Sequence, residues 1–261
     1  MTKETLKKYM DPIADGLFGK QRVKRYEKPQ FVVRPLAMMM EDLAAISDEA
    51  WCRYSFSNEP LNGKLNDEQR ERYGAQFREC GKEYAQKLMR EMDTDSPVIM
   101  ARNFKMDISY PQYPEKTDRV LFAEFREPKS IRIYMDAVNR AKKLLVDDEV
   151  QRILTNRLDV SNLLLAHELF HFVEEKYKAE IPTRTEKIEL WHIGAFRNRS
   201  SVIAFSEIAA MSFAKEITGI PYSPYLMDVF LVYGYSPQEA SGLYETMMEY
   251  AGLTPRLPAD T

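Results

Sequence analysis

The stretch from Asn162 to Val173, NLLLAHELFHFV, decides how the rest of the sequence is interpreted. His167 and His171 stand four positions apart, so on an α-helix they share one face about one turn, or ~6 Å, along the axis. Their neighbours are apolar on nearly every side, which is typical of a buried helix. Burying two imidazoles and the Glu168 carboxylate is costly unless each finds a partner, and one bound cation would serve all three.

The order His-Glu-x-x-His is the spacing that metalloproteases use to bind zinc. The sequence contains only 3 histidines, and two of them stand in this spacing. We therefore predict that His167 and His171 bind a divalent cation, with Zn²⁺ as the first choice. Two imidazoles, a carboxylate and an open position make a tetrahedral hydrolytic site. The alternative is a pair of core histidines with ordinary hydrogen bonds and Glu168 in a salt bridge at the rim.

A third ligand has to come from elsewhere in the chain. Glu175 continues the same helix, but residues spread over ~12 Å of axis do not meet around an ion with ligand distances near 2.1 Å. Glu207 is the predicted ligand because it is the lone carboxylate in the apolar helical pattern of residues 202–214, whose alanines would allow close packing on the histidine helix. Glu189 and His192 remain alternative third ligands. Glu207 itself could instead form a hydrogen bond to a buried neighbour without binding a metal.

Glu168 is predicted to be the general base and not a ligand. Its side chain leaves the helix ~100° away from that of His167. From there it can take the proton of a water activated by zinc and pass it to the leaving amine. His192 is the predicted donor to the oxyanion, with Tyr222 and Tyr225 as alternatives. The predicted catalytic residues are thus Glu168 and His192.

Composition excludes several classes of protein. The 261 residues are 44% hydrophobic and 30% charged, which is typical of a globular protein with a sizeable core. The net charge of -3 gives no general attraction to nucleic acid or an anionic membrane. We see no signal peptide, no membrane span and no disulfide framework around Cys52 and Cys80. We therefore predict a cytoplasmic protein whose partner is a protein or peptide substrate, without a nucleic-acid or membrane partner.

Periodicity predicts an α+β fold in which helices flank a small sheet. Helical patterns cover residues 36–56, 66–92, 136–158 with breaks, 161–178, 200–218 and 236–252. Short alternating runs at 105–110, 120–125 and 131–135 predict strands, of which the last two form a hairpin. An extended peptide could add to an edge at 131–135, with plain core packing as the alternative. We divide the chain into an N-terminal arm and helical region, 1–95, packed on a catalytic domain, 96–261.

The sequence resembles the ImmA/IrrE group of bacterial HExxH metallopeptidases over roughly residues 80 to 220. The resemblance lies in a strand like Ile131–Tyr134, the Ala-His-Glu-Leu-x-His helix, and a second helix reading Glu-x-x-Ala-x-x-Phe-Ala from Glu207 to Ala214. It departs from the group at Phe170, where many members have glycine, and in the long interval between His171 and Glu207. The group implies a compact gluzincin-type, zincin-like domain with one catalytic zinc, mostly helical with a small twisted sheet beside the HExxH helix.

Members of this group often cleave a repressor protein that silences a mobile element or a stress response. The resemblance and the residues together predict a zinc-dependent peptidase that acts on a protein substrate, such as a regulatory protein. The alternative is a non-enzymatic, metal-stabilised regulatory or interaction protein with the same fold.

Overall fold

The structure, a computed structural model, describes residues 31–115, 121–155, 158–193 and 196–257. Helices form most of it, and five short strands form two small sheets, which confirms the α+β class. Most of the predicted N-terminal arm, residues 1–30, lies outside the described residues.

The helices and strands of the described chain have the following bounds. The helices are α1 (Leu36–Ala44), α2 (Asp48–Ser57), α3 (Asp67–Met92), α4 (Pro97–Asn103), α5 (Met135–Leu144), α6 (Asp148–Leu154), α7 (Val160–Lys176), α8 (Pro182–Thr185), α9 (Ile203–Thr218), α10 (Leu226–Tyr233) and α11 (Pro237–Ala251), with a 3₁₀ turn at Asn62–Lys64. The strands are β1 (Asp107–Ser109), β2 (Ala123–Arg126), β3 (Ser130–Ile133), β4 (Ile188–Ile193) and β5 (Phe196–Ser200).

Two helices begin where their capping residues predict. At the start of α3 the Asn66 side chain accepts from the backbone N–H of Gln69 at 2.8 Å, and the Gln69 side chain accepts from the Asn66 N–H at 2.9 Å. At the start of α11 the Ser236 hydroxyl accepts from the Glu239 N–H at 3.2 Å. Gly252 ends α11 with φ of 76°, a conformation that favours glycine. Side chains thus satisfy backbone groups that a helix end leaves unpaired.

Other helices differ from the predicted pattern. The single helical pattern at 36–56 is two helices, because Ser47 is extended and caps α2 by accepting from the Ala50 N–H at 3.3 Å. Helix α10 is not predicted by periodicity. Its sequence is apolar almost all round, and such a short run does not distinguish a buried helix from a buried strand.

The first sheet has the strand order β1-β3-β2. Ile131 of β3 lies opposite Ile108 of the parallel strand β1 and opposite Phe125 of the antiparallel strand β2. The predicted hairpin of β2 and β3 is confirmed. The predicted peptide-binding edge at 131–135 is wrong, because β3 is the central strand and its backbone already pairs on both sides.

Strands β4 and β5 form a separate antiparallel hairpin in which Ile188 pairs with Ser200. The alternating segment that contains Glu189 and His192 is therefore a strand. Phe196 on β5 is 80% exposed, so this hairpin stands out from the packed core.

Helix α9 packs against both α3 and α7. A Cβ added at Gly81 of α3 would lie 2.1 Å from the carbonyl oxygen of Ala209. The sequence predicts that the alanines of α9 allow close packing on the histidine helix, α7. At Ala209 the close contact is instead with α3. The helix that carries Glu207 is thus held by packing against two other helices.

One cluster of buried residues includes side chains from before and after residue 95, among them Leu43, Phe77, Phe170 and Phe205. The boundary between 1–95 and 96–261 stays a prediction. Among the described residues, Cys52 and Cys80 are buried free thiols, and no helix is long and apolar enough to cross a lipid bilayer.

Candidate metal centre

Three side chains from two helices meet at one point. His167 and His171 project from α7, and their Nε2 atoms lie 3.3 Å apart. Glu207 reaches them from α9, with Oε2 3.6 Å from Nε2 of His167 and Oε1 3.8 Å from Nε2 of His171. The structure therefore brings together the three residues that the sequence predicts as metal ligands.

The spacing of these atoms suits a tetrahedral ion. Two ligands at ~2.0–2.2 Å from zinc, separated by the tetrahedral angle, lie roughly 3.3–3.6 Å apart. The separations in this site run from 3.3 to 3.8 Å. The side chains of His167, His171 and Glu207 are 18%, 20% and 30% exposed, so an ion can reach them from solvent. Two imidazoles and a carboxylate would hold zinc and leave one position open.

Local sequence explains why the two helices hold these positions. The Asp159 side chain caps α7 by accepting from the Asn162 N–H at 3.0 Å. Phe170 of α7 is fully buried, and its ring centroid lies 5.4 Å from that of Phe213 of α9. The aromatic residue at position 170, where the ImmA/IrrE group often has glycine, therefore fills the interface between the two helices that carry the ligands.

Behind His171 lies a hydrogen-bond network that the sequence analysis missed. Nδ1 of His171 is 3.3 Å from Oε2 of Glu174, and the Ser206 hydroxyl donates to the same oxygen at 2.5 Å. The guanidinium of Arg184 lies 3.7 Å away. Since a carboxylate only accepts, the His171 ring donates from Nδ1, which leaves Nε2 for an ion. Two signals could have revealed the network: Glu174 follows His171 by three positions on an apolar helix, and Ser206 precedes Glu207.

The carboxylates around the two histidines stabilise a positive charge between them. Burial lowers the pKa of His167 to about 3, and the charge of His171 acts in the same direction. Burial also opposes a charge on His171, but the hydrogen bond to Glu174 and the carboxylates of Glu207 and Glu168 outweigh it and raise its pKa to about 9. A neutral imidazole therefore faces a site where surrounding carboxylates stabilise a cation.

Glu168 lies next to the ligand group and faces strand β2. Its Oε2 accepts from the backbone N–H of Phe125 at 2.6 Å. Burial raises the pKa of Glu168 to about 7, although the charge of His171 and this hydrogen bond act against the shift. A carboxyl group with a pKa near neutrality can both take up and release a proton under physiological conditions. Its role as general base stays a prediction.

The remaining predicted site residues lie elsewhere. His192 is on β4 with its side chain 66% exposed, and its Nδ1 lies 2.7 Å from a carboxylate oxygen of Glu189. Neither residue belongs to the metal-binding group found among the described residues. The Tyr222 hydroxyl donates to the Leu154 carbonyl at 2.7 Å and is buried there. Tyr225 lines a cavity that borders the group of His167 and Glu207. The oxyanion role of His192 stays a prediction.

A cavity of about 330 Å³ opens directly beside the ligand group, and His167, Glu168 and Glu207 form part of its wall. Most of its other lining residues are apolar and come from α7, α9, α10 and the loop before β2. A mostly apolar cavity with a few convergent polar groups is typical of a ligand-binding site.

Comparison of the chain with protein-family models, curated proteins and solved structures found no match. The resemblance to the ImmA/IrrE metallopeptidases therefore depends on its motif residues alone and stays a prediction.

Proposed function

We propose that the protein is a cytoplasmic zinc-dependent peptidase with a zincin-like fold of the gluzincin type, acting on a protein substrate. One observation supports this most strongly: the Nε2 atoms of His167 and His171 meet the Glu207 carboxylate at distances that fit a tetrahedral ion. The spacing of the two histidines is a property of one helix alone. A carboxylate brought to the same point by a distant helix is not required for core packing.

Each residue then has one task in hydrolysis. His167, His171 and Glu207 would hold the ion. When bound, zinc supplies Lewis-acid chemistry that lowers the pKa of water and polarises the scissile carbonyl. Glu168 accepts the proton from the attacking water and donates it to the nitrogen of the leaving amine. The Phe125 N–H holds Oε2 of Glu168, which fixes the carboxylate and leaves Oε1 for the proton.

The substitution Glu168→Gln tests the proposal. We expect the variant to bind zinc as the natural protein does and to lose cleavage of an unfolded protein substrate by about 10²-fold or more, because the amide takes up no proton. Glu175→Gln is the matched control: the same change is made in the same helix, where Glu175 pairs with Lys178 at the surface.

Cleavage by Glu168→Gln at the natural rate would contradict the assignment of the general base. A zinc-loaded natural protein that cleaves neither unfolded nor folded proteins would contradict the peptidase and favour the metal-stabilised regulatory protein.

A further inference from the structure

The cavity beside the metal centre combines apolar walls with an excess of carboxylates. Its acidic lining residues are Glu59, Glu168, Glu207, Asp228 and Glu239. Among the described residues no lysine or arginine lines it. Aliphatic side chains supply much of the remaining wall, including Leu163, Met211, Met227 and Leu231. The cavity is thus complementary to a group that is both long and aliphatic and positively charged at its end.

Asp228 on α10 is a carboxylate in this wall that is available to such a charge. Glu59 already accepts from the Leu61 N–H at 2.9 Å and from the Ala204 N–H at 3.0 Å. Glu168 and Glu207 are engaged at the metal centre. In the part of the chain that the structure describes, no group donates a hydrogen bond to the Asp228 carboxylate.

The environment of Asp228 penalises its negative charge. Burial raises the pKa of Asp228 to about 7, and the Glu207 carboxylate adds to the shift. A shift in this direction means that the charge lacks compensation within the protein. A cation from outside would supply that compensation.

We propose that this cavity is a specificity pocket for a basic side chain, lysine or arginine, of the substrate, with Asp228 as the partner of its charge. This inference rests on the proposed function, since the cavity borders the residues that would cleave the chain. The aliphatic part of the basic side chain packs against the apolar wall, and its charged end reaches the Asp228 carboxylate. A neutral side chain would leave Asp228 uncompensated, and an acidic one would be repelled.

The test compares peptides that differ in one charge. Arginine and citrulline have the same length and shape, but citrulline is neutral. Each alanine-based peptide carries either arginine or citrulline at one position, and the series moves this residue along the peptide. Calorimetry measures the affinity of each peptide for the zinc-loaded Glu168→Gln variant. This variant is used because we expect it to bind peptides without cleaving them. We expect at least one position at which the arginine peptide binds about tenfold or more tightly than the citrulline peptide, since a hydrogen bond to a charged group is stronger than one to a neutral group.

Asp228→Asn should abolish this preference because the amide has nearly the shape of the carboxylate and no charge. Asp95→Asn is the matched control, the same substitution at an exposed position, and it should keep the preference. Equal affinity for the arginine and citrulline peptides at every position would overturn the proposal, as would a preference that survives Asp228→Asn. If the Asp228→Asn variant folds poorly, the comparison of arginine with citrulline peptides in protein that retains Asp228 still tests the proposal.

Cleavage assays with the natural protein separate this proposal from the proposed function. Cleavage without any preference for a basic residue would overturn the pocket and leave the peptidase intact. Binding of arginine peptides that depends on Asp228, without cleavage of any of them, would support the pocket and contradict the peptidase.

Discussion

Nδ1 of His171 lies 3.3 Å from the completely buried carboxylate of Glu174, one turn further along the same helix. The same carboxylate oxygen accepts from the Ser206 hydroxyl of α9. The Glu174 carboxylate therefore fixes the His171 ring so that Nε2 faces His167 and Glu207. It acts as a positioning residue, since a histidine ligand needs a partner on its other ring nitrogen to set its tautomer and orientation.

Glu174→Gln should weaken zinc binding by about 10- to 100-fold, because a neutral amide is a poorer acceptor for the ring N–H and lowers the basicity of the ligand. Competition with a chromophoric chelator measures the affinity. The adjacent substitution Glu175→Gln is the control, since its carboxylate pairs with Lys178 at 2.5 Å and faces away from this network. Equal zinc affinity of the two variants would show that Glu174 does not position the ligand.

Gly81→Ala should destabilise the protein because the new Cβ would lie 2.1 Å from the Ala209 carbonyl oxygen, where two helix backbones meet. We expect the free energy of unfolding in urea to fall by about 1–3 kcal/mol or more. Because α9 must shift, Glu207 should move and zinc affinity should fall as well. Gly63→Ala is the control, with no atom within 4 Å of its added Cβ. A Gly81→Ala protein as stable as Gly63→Ala would refute the close approach of α3 and α9.

Asp228→Asn should stabilise the protein at alkaline pH. The pKa of Asp228 is about 7 in the folded protein against an ordinary value of 3.8, so folding favours the protonated form. The free energy of unfolding of the natural protein therefore falls as the pH rises from the ordinary pKa of 3.8 through about 7. The asparagine does not ionise and avoids this loss.

Urea unfolding in the presence of a chelator checks this prediction. Near pH 8 the free energy of unfolding of the Asp228→Asn protein should exceed that of the natural protein by about 1 kcal/mol or more. Below about pH 4 the two free energies should be equal. Asp95→Asn, at an exposed position, should show no such dependence. An Asp228→Asn protein that is less stable than the natural one near pH 8 would contradict the sign. A gain would indicate that the acid is kept at a cost to stability, as binding residues often are.

Local signals predict the parts of the site that depend on a single helix. A spacing of four fixes the relation of His167 to His171, and Glu207 stands out because its helix has little other polarity. The helical pattern that begins at residue 66 likewise predicts the start of α3, where the structure has a capping box. Each of these features lies within one helix.

The rest depends on packing between segments that are far apart in sequence. The contact of Glu168 with the Phe125 N–H joins a helix to a strand 43 positions earlier, and the sequence carries no local sign of it. The central position of β3 depends on β1, whose short pattern does not reveal its parallel partner. The cavity beside Asp228 exists because α10, which periodicity does not predict, closes one of its walls.

The central claim is that His167, His171 and Glu207 together bind one divalent cation. Zinc content after dialysis against zinc and then against metal-free buffer tests it most directly, on the natural protein, Glu207→Ala and the control Glu216→Ala. Glu216 lies on the same helix, but its carboxylate binds Gln86 and not the histidines. We predict one zinc per chain in the natural and control proteins and its loss from Glu207→Ala. A natural protein that retains no zinc, or a Glu207→Ala protein that retains all of it, would contradict the account.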